Sequence, residues 1–162
     1  MGKESIELAV KGIALEEETR MPILILKEKD SDRLLPLQIG PFEASAIIMQ
    51  LEGIEPPRPL THDILAEFFK RHNFHMLCLE IYGIIDNKQT ARMLYRKGRK
   101  TFSMEVRPSD GIALALKLDA QICCTSEVLS LHAEEQAILK NLETLSAEFL
   151  YLETERVQPP LM

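Results

Sequence analysis

The sequence predicts an α+β fold: a duplicated three-strand-plus-two-helix unit forming one domain, with an extra C-terminal helix. Three observations carry that expectation. Apolar runs of strand length alternate with polar residues and end at glycine, proline or Asp-Asn turns. Two helix starts share a proline followed two residues later by an acid: Pro41 with Glu43, and Pro108 with Asp110. Residues 37–52 also align without a gap on residues 104–119, at an offset of 67, as an internal repeat would.

The bulk numbers fit this. At 162 residues, 46% hydrophobic and 27% charged, the chain has the composition and length of a globular domain with its own core. No apolar run approaches the roughly 20 residues of a membrane helix. The opening MGKESIELAV lacks the layout of a signal peptide, so a cytoplasmic protein without membrane contact is expected. Cys78, Cys123 and Cys124 sit in apolar runs without metal-ligand or disulfide spacing, and read as small buried hydrophobes.

In order along the chain, Ile6, Leu8 and Val10 alternate, and the phase slips at Gly12, where a β-bulge is expected. Residues 21–26 form a buried strand, and Leu35, Leu37 and Ile39 the next. Pro41 starts a helix, because proline lacks an N–H that would be unpaired there anyway. That helix is expected to bury Phe42, Ile47, Ile48 and Leu51. After the proline-rich break at 55–59, Thr61 is the expected N-cap of a second helix, whose apolar face is Ile64, Leu65, Phe68 and Phe69. The pattern then restarts, with strands at 74–85, 90–96 and 102–106 and a helix at 108–118 that Ser109 can cap. Residues 5–132 make the domain, residues 133–157 an amphipathic helix, and residues 158–162 a flexible tail. Ile138, Leu142, Leu145, Phe149 and Leu152 space an apolar seam fit to dock on the domain or on a second copy in a homo-oligomer.

The net charge of −6 is unevenly spread. Residues 126–162 hold seven acids against Lys140 and Arg156. Residues 87–104 hold none, and carry Lys88, Arg92, Arg96, Lys97, Arg99 and Lys100. Such a patch is either a solvated hairpin tip or a surface for a polyanion. Glu43, Asp63 and Asp110 all fall in first helical turns, where a carboxylate complements the helix dipole. Converging, the three could hold Mg2+ or Mn2+ for phosphodiester hydrolysis. His62 would then be the general base, and Arg58 and Arg107 would clamp phosphate oxygens. The aromatic residues are scattered through the sequence, and no stacking platform is legible. That favours the competing expectation: a non-catalytic oligomerising or regulatory module, with the motif residues serving as caps.

Three motifs in order, LPLQIGPFEASAI, PRPLTHD and RPSDGIALAL, resemble the bifunctional nuclease family over roughly residues 5–132. Gly40, Pro41, Phe42 and Glu43 match the first. Arg58, Pro59, Leu60, Thr61, His62 and Asp63 match the second. Arg107, Pro108, Ser109 and Asp110 match the third. The resemblance implies DNase and RNase activity, hence DNA or RNA as partner. Gly111 stands where the family has alanine, which weakens the helix by up to ~1 kcal/mol. The excision-repair-type motif that ends some relatives is not matched at 133–152.

Overall fold

The computed structural model describes residues 4–16, 18–131 and 149–152. Strands β1 (Ser5–Leu15), β2 (Pro22–Glu28) and β3 (Leu34–Gln38) form an antiparallel meander. Helices α1 (Pro41–Glu52) and α2 (Thr61–Arg71) follow. A second meander comprises β4 (Phe74–Ile85), β5 (Lys88–Lys97) and β6 (Lys100–Val106). It leads into α3 (Pro108–Leu118), β7 (Gln121–Thr125) and α4 (Ser126–Leu131). The sheet runs β3-β2-β1-β7-β4-β5-β6, so β7 is the seam between the meanders. It pairs antiparallel with β1 and parallel with β4.

Local chemistry explains the turns and breaks. The β1 register shifts between Val10 and Gly12, where the apolar phase slips. Asp86 and Asn87 both take positive φ, which gives a hairpin loop the twist of its flanking strands. Pro41 and Pro108 open α1 and α3 as expected. The caps differ from expectation. Leu60 and Arg107, not Thr61 and Ser109, are the N-cap residues of α2 and α3. Asp63 supplies the missing acceptor by taking the Leu60 N–H at 2.8 Å.

The main core lies on the helix-covered face of the sheet, and a smaller cluster of Ile25, Leu34, Ala14 and Ile23 is separate from it. In the main core Leu8, Leu24, Leu37, Leu79, Ile81 and Ile122 meet Ile47, Ile112, Val128 and Leu129 of the helices. Two expected faces are turned differently. Phe42 is 88% exposed, because α1 buries Ala44, Ala46 and Ile47 instead. On α2 the buried residues are Ala66 and Phe69, packed with Met93 and Leu114, while Ile64, Leu65 and Phe68 are exposed. Helices α2 and α3 thus meet around Ala66, Phe69 and Leu114, and the other large residues of α2 look outward. Gly111 serves a close approach of α3 to the sheet: a Cβ there would stand 2.2 Å from Leu79 Cδ1. The glycine costs helix propensity and lets α3 settle on β4.

Cys123 and Cys124 are buried thiols and Cys78 is half-buried. Cys123 Sγ donates to the Leu79 carbonyl at 3.5 Å, and the neighbouring Cys123 thiol, with burial, pushes the Cys78 pKa up. Burial pushes Cys124 up to about 12.

The expected C-terminal helix falls largely outside the described residues. Its end does not: Phe149–Leu152 is a strand, β8, paired with β1 at Gly12–Ala14. β7 pairs only with Ser5–Leu8, so the farther half of β1 has a free edge, which a short apolar and aromatic run can fill. The second meander is followed by β7 where the first has only the proline-rich break, so the two units are not element-for-element copies.

Candidate functional site

The starts of α1, α2 and α3 gather at one place. Asp110, in the first turn of α3, accepts from Arg107 Nε at 2.7 Å and lies 3.0 Å from His62 Nε2. Arg107 also donates through Nη2 to Glu43 Oε1 at 3.0 Å. Glu43, Arg107, Asp110 and His62 therefore form one chain of contacts across three helix starts. The Arg107 side chain is 69% exposed, whereas Glu43 and His62 are largely covered. A guanidinium is thus presented to solvent from a fixed carboxylate cradle.

Electrostatics sets the protonation states. Burial is the largest influence on Asp110 and raises its pKa, but the Arg107 and His62 hydrogen bonds together outweigh it, and the net direction is down. Asp110 is therefore an ionised acceptor. An ionised carboxylate can only accept, so His62 donates through Nε2, and the neutral imidazole in that tautomer has its lone pair on Nδ1. Two carboxylates also push the Arg107 pKa up, Asp110 more strongly than Glu43.

Asp63, the next residue after His62, points elsewhere. It pairs with Lys117 Nζ, and Lys117 also donates to Gln50 Oε1 at 3.4 Å. The Lys117 ammonium, with the Leu60 N–H, holds the Asp63 carboxyl below the usual range against the opposing effect of burial. The Lys117 side chain is only 12% exposed. Lys117 and Gln50 were absent from the sequence reading, although the offset of 67 pairs these very positions.

These partners decide whether Glu43, Asp63 and Asp110 suit a divalent cation. They do not do so as arranged. Arg107 already bridges Glu43 and Asp110, where a cation would have to lie, and Asp63 is committed to Lys117 and the α2 cap. Among the described residues no group of three or more His, Cys, Asp or Glu is placed to hold a metal ion.

The expected phosphate-binding residues divide. Arg107 is in the site. Arg58 is exposed in the loop before α2. Lys88 begins β5 beside the Asp86-Asn87 turn, at the other end of that strand from Arg96 and Lys97. Arg92 lies between the core-facing Ala91 and Met93, so it points to the opposite face, where it bonds Glu80 at 3.1 Å. Arg96 donates to the Gly98 carbonyl in the β5–β6 turn. Lys97, Arg99 and Lys100 stand at that same turn, so the basic run of the sequence is not one patch in space. Beside Arg107, a depression of about 290 Å³ is lined by Gln89, Thr90, Glu105, Val106 and Pro108.

Comparison with known proteins agrees with this architecture of motifs. The family model described as bifunctional nuclease domain matches residues 24–137, and the chain belongs to that family. An uncharacterised protein of Mycobacterium tuberculosis, Rv1829, is 34% identical over 124 residues, covering 76% of this chain and 74% of the relative. Bifunctional nuclease 1 of Oryza sativa subsp. japonica is 25% identical over 103 residues, covering 61% of this chain and 31% of the rice protein. No helix among the described residues is long and apolar enough to cross a membrane.

Proposed function

We propose that this domain hydrolyses phosphodiester bonds of DNA and RNA, with His62 as general base. The observation that carries this reading is the His62–Asp110–Arg107 contact chain: an oriented imidazole beside an exposed, anchored guanidinium. The family description and the name of the rice relative, both of a bifunctional nuclease, support nucleic acid as the substrate class.

In the proposed reaction, Arg107 takes a phosphate oxygen while Glu43 and Asp110 hold its side chain in place. His62 Nδ1 removes a proton from water, and Asp110 stabilises the imidazolium that results. The water oxygen bonds to phosphorus, the bond from phosphorus to the leaving sugar oxygen breaks, and the imidazolium returns its proton to that oxygen. Arg107 offsets the added negative charge on the equatorial oxygens. No step is assigned to Mg2+ or Mn2+, because Arg107 occupies the cradle and Asp63 faces Lys117.

The test is cleavage of a plasmid and of a single-stranded RNA by purified wild type, His62→Ala and Asp110→Asn, with folding checked by circular dichroism. Wild type should cut both, and the variants should lose most activity. Equal cleavage by all three would trace the activity to a contaminating nuclease and overturn the proposal.

One observation favours the non-catalytic reading for one residue. Asp63 caps α2 and neutralises Lys117, two structural tasks that leave it no part in the steps above.

A further inference from the structure

We infer that the α2–β6 side of the molecule is a track for single-stranded nucleic acid that ends at His62 and Arg107. For what happens at that end, it rests on the phosphodiester reading above.

Aromatic rings that are far apart in sequence form a continuous strip in space. Phe68 of α2 stacks on Phe74 of β4 with centroids 6.1 Å apart, and Phe74 meets Tyr95 of β5 at 6.1 Å. Tyr95 stacks on Phe102 of β6 at 5.2 Å, with the planes 18° apart. The two ends of the strip are open to solvent: Phe68 is 50% exposed and Phe102 is 41% exposed. Each of these half-exposed rings packs on its own neighbours, Phe68 on His72 and Phe74 and Phe102 on Tyr95, and what stays open can stack unpaired bases, which a duplex keeps inside.

The charge beside the strip has the sign a polyanion needs. Lys97 Nζ lies 4.8 Å over the Phe74 ring, and Lys97 pairs in register with Lys100 across the β5–β6 turn. None of Lys97, Arg99 and Lys100 is paired with a carboxylate among the described residues. Rings that stack bases beside cations that follow phosphates are the two halves of a single-strand site.

The direction of the elements joins the strip to the candidate site. Helix α2 starts at the His62 end and finishes at Arg71, beside Phe74, a length of about 16 Å for 11 residues. Strand β6 starts at Lys100 and delivers the chain to Arg107. A strand of nucleic acid gripped at the basic turn thus has a path of a few nucleotides along α2 and β6 to the imidazole.

The chain contains no tryptophan, so Phe102→Trp gives a single reporter that also keeps a ring in place. Fluorescein-labelled oligothymidylate, oligouridylate and a duplex of equal length would be titrated by anisotropy into wild type, Phe68→Ala, Phe102→Ala, Phe102→Trp and Lys97→Glu/Lys100→Glu. Each alanine variant should weaken single-strand binding by about tenfold, and the charge reversal should flatten the salt dependence. Phe102→Trp should bind as wild type, with quenched emission. Unchanged affinity in Phe102→Ala, or a duplex bound as tightly as the single strand, would overturn the track. So would absence of binding with a shift in light-scattering mass on Phe102→Ala, which would make the strip a contact between copies. Single strands bound through the strip but never cut would sink the hydrolytic reading alone. Cleavage with an unaltered KM in Phe102→Ala would sink the track alone.

Discussion

At the start of α1 the residue before proline is Gly40, and at the start of α3 it is Arg107. Both helices continue with a proline and then an acid two residues on, at an offset of 67. Glu43 folds back over Gly40, where a Cβ would stand 2.2 Å from Oε2. Asp110 has no such space, because Arg107 wraps over it and reaches across to Glu43. One start folds its carboxylate over a glycine, and the other carries the cation that bridges the two acids. The two positions that break the likeness, Gly40 and Arg107, decide how the shared acids are joined.

Breaking the contact between α2 and α3 should have the largest effect. His62→Ala should lower kcat by roughly 10² to 10⁴, the usual worth of a general base, with KM little changed. Chelation is a second strong test. With Arg107 in the cradle, cleavage should survive EDTA; its loss, with rescue by Mn2+, would mean that Arg107 gives way to a cation at Glu43 and Asp110.

Asp63 should behave differently from its neighbour. Asp63→Ala strands the largely buried Lys117 ammonium and removes a cap, so a loss of about 2 kcal/mol in urea unfolding is expected. Activity per folded molecule should hold. The pH dependence follows from the lowered pKa. Asp63 binds fewer protons folded than unfolded near its ordinary value of 3.8, so its contribution is complete above that pH. It fades as the pH falls through the folded value. Urea midpoints of wild type and Asp63→Asn should therefore converge in acid and separate toward neutrality.

The α1 side should give the smallest changes. Glu43→Gln loosens Arg107 without removing it, so kcat should fall by roughly tenfold or less. Gly40→Ala should shift Glu43 and act in the same direction more weakly. A wild-type rate in both would confine the working site to α2 and α3.

Much of this was legible in the residues. Strand alternation, the Gly12 slip and the two prolines are local signals, and each depends on a few neighbouring residues. The motifs singled out Glu43, His62 and Asp110, but their meeting is seen only in the fold, where Arg107 and Asp110 link the three helix starts. What was not legible is rotational. Phe42 and Phe68 look like core residues on a helical wheel, yet α1 turns Ala44, Ala46 and Ile47 inward and α2 turns Ala66 and Phe69 inward, which leaves Phe42 and Phe68 exposed. The aromatic strip is hidden for a similar reason: Phe68, Phe74, Tyr95 and Phe102 belong to four elements, and only sheet register aligns them. The Lys88–Lys100 run misleads in the opposite sense, because alternation along β5 sends Arg92 to the far face.

Strand β7 has a consequence for how the molecule is made. Each meander closes through contacts near in sequence, whereas β7 joins Ser5 to Thr125 and Leu79 to Ile122. Loop-closure entropy makes that long-range seam the slow event in folding. Glu43 belongs to one side of the seam and Asp110 to the other, so their meeting is timed by β7. In a refolding experiment, strand signal should return before catalysis, and the lag between them would measure the closing of the seam.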